Sequence, residues 1–79
     1  MKLSDNYVKI VEWSEIDQCY VGSCLGLMYG GCHGSDETKV FQELCILVDE
    51  IIDLYRKEEK DLPPATVGKL NDVKLLDVA

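Results

Sequence analysis

The sequence predicts an α+β domain: a small antiparallel sheet of three to four strands with one long helix on one face, in the order β-β-β-α-β. Three observations carry this. The first third of the chain holds runs of β-branched and aromatic residues separated by turn formers, the mark of short strands. After Gly34 the apolar residues recur at helical rather than alternating spacing. From Glu37 to Lys60 there is neither glycine nor proline, so nothing in that stretch opposes a helix. A chain of 79 residues has room for one domain, residues 1–79, and no second module.

The first strand is expected over 7–13, where Lys9 and Glu12 interrupt the apolar run too irregularly for a helix. Ser14-Glu15-Ile16-Asp17-Gln18 is polar and turn-prone, and 19–25 is again strand-like, so the pair reads as a β-hairpin with a loop of about five residues. A weaker third strand is expected over 27–32. Gly26, Gly30, Gly31 and Gly34 crowd it, which points to bends, a bulge or a close approach of backbones. They spell no phosphate-binding or dinucleotide-binding pattern.

The helix is expected over about 36–60. Ser35 or Asp36 can cap it, and Glu37 places negative charge in its first turn. Val40, Leu44, Leu47, Val48, Ile51, Leu54 and Tyr55 form one apolar stripe, with Gln42, Glu43, Asp49, Glu50, Asp53 and Arg56 largely away from it. Phe41, Cys45 and Ile52 widen the stripe beyond what one sheet face needs. Phe41, Leu44, Val48, Ile51, Ile52 and Tyr55 form either a broad core of one copy or a core face that also touches another copy, and the second is favoured because so small a domain buries little on its own. Leu62-Pro63-Pro64 stops the helix. Residues 65–79 form a tail or a short final strand at 73–78.

Eight Lys and Arg against fifteen Asp and Glu give a net charge of -7, the opposite of what grips phosphate backbones. Autonomous nucleic-acid binding is disfavoured and a basic partner favoured. No apolar signal-peptide core and no long apolar run is present, so a cytoplasmic protein is expected, with Cys19, Cys24, Cys32 and Cys45 as free thiols. Cys32 and His33 adjoin, but neighbours in a strand point to opposite faces and no zinc-type cysteine spacing accompanies them. The same geometry denies His33 a nucleophile in Cys32. Glu12, Glu15 and Asp17 could hold Mg²⁺ together with helix carboxylates, as in a nuclease, but an acidic hairpin loop is ordinarily a solvated one. No catalytic residue, metal or cofactor is assigned, and the chain reads as an interaction module rather than an enzyme.

Val11-Glu12-Trp13-Ser14-Glu15 with Asp17, Cys19-Tyr20-Val21-Gly22, Gly30-Gly31-Cys32-His33-Gly34, Val40 with Glu43-Leu44-Cys45, and Leu62-Pro63-Pro64-Ala65-Thr66 together resemble, in this order, a short HicB-like protein. The resemblance covers about residues 7 to 66. Leu25 departs from it, standing where such sequences commonly carry a proline. It implies a partial ribonuclease H fold without the catalytic carboxylates of true nucleases. It also implies an antitoxin of a type II toxin-antitoxin system, which binds a small, basic, RNA-cleaving HicA-like toxin and blocks its active site.

Members of the family dimerise, so a homo-oligomer, dimer or tetramer, is expected. Full-length members often add a C-terminal DNA-binding domain; none is expected in this stand-alone form, and with it no direct DNA binding. The toxin-facing surface is expected on the acidic hairpin and the exposed helix side, at Glu12, Glu15, Asp17, Asp49 and Asp53, with the sheet face as the alternative. The competing expectations are an orphan homo-oligomeric domain without a toxin and a degenerate metal-dependent nuclease.

Overall fold

In the computed structural model, which describes residues 2–28 and 30–68, the chain forms a 3-10 turn (Leu3–Asn6), three strands and one helix. The strands are β1 (Lys9–Ser14), β2 (Cys19–Cys24) and β3 (Gly31–Gly34), and the helix is α1 (Glu37–Lys57). The sheet is antiparallel throughout, with β2 in the middle. The α+β class and the order sheet-then-helix are as the sequence predicts. The expected final strand at 73–78 lies outside the described residues.

Local chemistry closes the β1–β2 hairpin. The Ser14 hydroxyl accepts from the Asp17 amide and donates to its carboxylate, both at 3.2 Å. Gln18 takes the left-handed conformation, φ 54°, and its side-chain amide donates to the Glu15 carbonyl at 2.7 Å. At the mouth of the hairpin Trp13 and Tyr20 stand directly opposite one another and stack edge to face, with centroids 5.2 Å apart.

Alternation along the strands sorts their side chains. Val11, Tyr20, Cys24 and Cys32 face the helix, and there Gly22 lets it come close: a Cβ at Gly22 would stand 3.1 Å from both Cys32 Sγ and Val40 Cγ1. Val40, Leu44, Val48 and Ile52, one helical line spaced four apart, are buried against this face with Tyr7 and Leu27. Burial of each such aliphatic side chain stabilises the fold by about 1.5–3 kcal/mol. Ile10, Glu12, Cys19, Val21, Ser23 and His33 point the other way.

Three boundaries differ from expectation. β1 begins at Lys9 rather than residue 7: the 3-10 turn precedes it, the Tyr7 amide donates back to the Ser4 carbonyl, and the Tyr7 ring enters the core. β3 occupies Gly31–Gly34 rather than 27–32. After β2 the chain folds on itself, with the Leu27 and Met28 amides both donating to the Cys24 carbonyl and Gly26 at φ 84°, so Leu27 plugs the core instead of extending. Pairing then starts at Gly31, which lies opposite Ser23 and whose added Cβ would fall on the Gly22 carbonyl oxygen.

The helix is shorter than 36–60. Asp36 is its cap, accepting from the Lys39 amide at 3.1 Å. It ends before Leu62-Pro63-Pro64 through a pair of C-terminal hydrogen bonds: Lys60 N–H to the Tyr55 carbonyl and Glu59 N–H to the Arg56 carbonyl, with Glu59 left-handed at φ 56°. The prolines serve elsewhere. The Pro63 carbonyl accepts a 2.6 Å bond from the Tyr7 hydroxyl, the Thr66 hydroxyl accepts from the Val8 amide, and the Thr66 amide donates to the Asn6 carbonyl. The segment beyond the helix is thus strapped to the start of β1.

Candidate functional site

A single helix covers one face of the sheet, and among the described residues the other face is uncovered. The strand register places Glu12, Val21 and His33 in one row across it. Beside this row lies an open groove of about 480 Å³ lined by Asp17, Cys19, Val21, Gly31, Cys32 and His33. Glu12 and His33 are exposed, while Ile10, Cys19 and Val21 are half-buried.

The five residues expected to face a partner fall in three places. Glu12 and Asp17 belong to the uncovered sheet face, Asp17 being held there by Ser14. Glu15 leans the other way, because its carboxylate accepts from the Trp13 indole at 2.8 Å on the helix side of β1; that bond, with a second from Gln18, holds it below the usual carboxylate range. Asp49 and Asp53 line a separate groove with Lys2, Leu3, Ser4 and Arg56, beside the 3-10 turn. They lie by the 3-10 turn that leads into the start of β1, whereas the hairpin is at the far end of that strand. The hairpin acids and the helix acids therefore do not form one surface.

Of the helix-face residues, Leu44, Val48 and Ile52 are buried in the chain's own core and Ile51 and Tyr55 pack half-buried against it. Phe41 is the member left 45% exposed, free to touch another molecule.

Two chemical alternatives meet geometric obstacles. Cys32 turns inward, where its thiol donates to the Val40 carbonyl at 3.4 Å and burial pushes its pKa up, while His33 points outward; the two cannot share a metal ion. A nuclease-like site built from Glu12, Asp17 and helix carboxylates would need its ligands on both sides of the sheet. Among the described residues no three metal-binding side chains gather, and no helix is long and apolar enough to cross a membrane.

What the residue-by-residue reading misses is the apolar part of the open face: Ile10, Cys19 and Val21. The signal was available as parity. Once Gly22 and Cys24 are placed inward, every odd-numbered neighbour on β2 up to Val21 and Ser23 must face out. No protein-family model, curated protein or solved structure matches the chain.

Proposed function

We propose that the chain is a non-catalytic, HicB-like antitoxin module that neutralises a small, basic, RNA-cleaving HicA-like toxin in the cytoplasm by binding it. The observation that carries this reading is the one-sided sheet in β-β-β-α order, which joins the hairpin, the glycine-rich turn and the Leu-Pro-Pro segment of the resemblance into one domain. The charge of -7 supports it as well. An acidic surface accelerates encounter with a cationic protein and competes with RNA phosphates for the same Lys and Arg side chains. Self-association accords with the same reading, since Phe41 and Trp13 leave apolar surface on the molecule.

Co-expression of the chain with a small, basic HicA-like protein tests the proposal. The expected result is co-elution of the two on size-exclusion chromatography, with RNA cleavage by the partner suppressed. A partner that elutes separately and still cleaves RNA in the presence of excess chain overturns it.

A further inference from the structure

The open face of the sheet has a composition that says what it fits. Its middle is apolar, with Ile10, Cys19 and Val21 half-buried, and carboxylates stand beside it at Glu12 and Asp17. None of the outward-pointing strand residues is Lys or Arg. Lys9, the one such residue in the three strands, lies on the helix side, where its ammonium donates to the Ser4 carbonyl at 3.0 Å. The outer side of the helix is different, since Lys39, Arg56 and Lys57 alternate there with the acids and dilute the field. An apolar centre beside charge of one sign is the make-up of a protein-docking surface rather than of a solvated one.

The sign of the charge selects the occupant. Nucleic acid is repelled. A second copy docked face to face would gather four carboxylates, Glu12 and Asp17 of each copy, in one interface to which this face brings no Lys or Arg, a like-charge penalty with nothing to offset it. A cationic protein surface meets no such penalty.

We infer that the outer face of the β1–β2–β3 sheet, centred on Val21 and His33, is the docking surface for a basic partner protein. Lys or Arg side chains of the partner meet Glu12 and Asp17, and an apolar side chain enters the groove between Cys19 and His33. This rests on the antitoxin reading and assigns the surface it uses, leaving out Asp49 and Asp53 on the helix.

A titration that needs no natural partner tests the surface. The full-length, ¹⁵N-labelled chain is titrated with a ten-residue peptide of alternating lysine and valine. Saturable shifts are expected at Ile10, Glu12, Val21 and His33, with Asp49 and Asp53 unmoved. The double substitution Glu12→Lys/Asp17→Lys, and separately Val21→Lys, are expected to weaken binding about tenfold or more, and Asp49→Lys/Asp53→Lys less than about threefold. Circular dichroism and urea midpoints establish that each variant is folded.

Shifts centred on α1, an absence of saturable shifts, or equal losses from the sheet and helix variants overturn the surface. So do contacts from residues 69–79 of the same chain onto Ile10 and Val21. The same variants carried into the co-expression separate the two ideas. If the wild-type chain captures the toxin and Glu12→Lys/Asp17→Lys captures it equally well, the surface is wrong and the antitoxin reading stands. If the wild-type chain captures no toxin but the peptide lands on the sheet, that reading fails and the surface stands.

Discussion

The hydroxyl of Tyr7 donates a 2.6 Å hydrogen bond to the carbonyl of Pro63, joining two residues 56 positions apart and closing the chain on itself behind the helix. Tyr7 is buried and Pro63 half-buried, so the hydroxyl exchanges water for this carbonyl. Removing the hydroxyl in Tyr7→Phe leaves the carbonyl short of a partner and is expected to destabilise the fold by about 1–1.5 kcal/mol, read as a lower urea midpoint. An unchanged midpoint would mean that the strap contributes nothing to stability.

The same tyrosine and two cysteines set an alkaline limit. Burial raises the pKa of the Tyr7 phenol, and of the Cys24 and Cys32 thiols, above their ordinary values of 10.0 and 9.0. The folded state thus holds these protons more tightly than the unfolded one. Their contribution is intact below the unfolded thiol and phenol values and is lost as pH rises through the folded ones. Urea midpoints are expected to be flat from pH 7 to 8.5 and to fall steadily above about pH 9, with Tyr7→Phe falling less steeply.

Glycine positions give a graded series. Gly22→Ala puts a methyl 3.1 Å from Cys32 Sγ and Val40 Cγ1 and 3.4 Å from Leu44 Cδ2, an overpacking expected to cost about 1–3 kcal/mol. Gly31→Ala collides with the Gly22 carbonyl and is expected to break the β2–β3 pairing outright. At Gly30 a methyl meets nothing within 4 Å, and Gly30→Ala is expected to be nearly neutral. Thermal melts should place Gly31→Ala lowest, Gly22→Ala between, and Gly30→Ala close to the unsubstituted chain.

One substitution is expected to stabilise. Glu59 ends the helix in a left-handed conformation at φ 56°, which costs a residue with a Cβ about 1–2 kcal/mol and glycine almost nothing. Glu59→Gly should therefore raise stability by about 1 kcal/mol, a rise in Tm of about 4–8 °C for a domain of this size. A fall in Tm would show that the Glu59 side chain has a structural role that the C-terminal hydrogen bonds do not reveal.

The four cysteines should react in two classes. Cys24 and Cys32 are buried, whereas Cys19 and Cys45 are partly exposed. Mass spectrometry after mild iodoacetamide treatment is expected to show two fast adducts, and four only in denaturant. Fast labelling of Cys32 would contradict its inward orientation.

Much of the fold is legible in the sequence because its strongest signals are periodic. The helical spacing of Val40, Leu44 and Val48 identifies the helix and most of its buried face, though Ile52, expected only to widen the stripe, is buried, and Leu54, expected within it, is exposed. The polar Ser14–Gln18 stretch identifies the hairpin, and the opposite facing of Cys32 and His33 follows from strand geometry alone. Where the reading slips, a tertiary contact overrides local pattern. Leu27 looks like the start of a strand, yet its amide and that of Met28 turn back to Cys24 and its side chain fills the core.

The helix end slips for a different reason. Leu62-Pro63-Pro64 is a sound stop signal, but a cap formed by Glu59 and Lys60 acts earlier, and glutamate in a left-handed cap has no sequence signature. The candidate site is less legible, because the positions of acids along the chain do not show which of them share a surface. The helix-side bond between Glu15 and Trp13, and the distance from the hairpin to Asp49 and Asp53, are three-dimensional facts that a charge tally does not carry.

The pairing of Trp13 with Tyr20 gives the molecule a built-in optical probe. Trp13 is the chain's one tryptophan, its ring lies 5.2 Å from the Tyr20 ring, and its indole nitrogen is tied to a carboxylate at the hairpin tip. Excitation of tyrosine will therefore drain into a single emitter whose colour reports the polarity around the hairpin mouth, so unfolding, and self-association through the helix side of the sheet, can be followed in unlabelled protein by the wavelength of one peak.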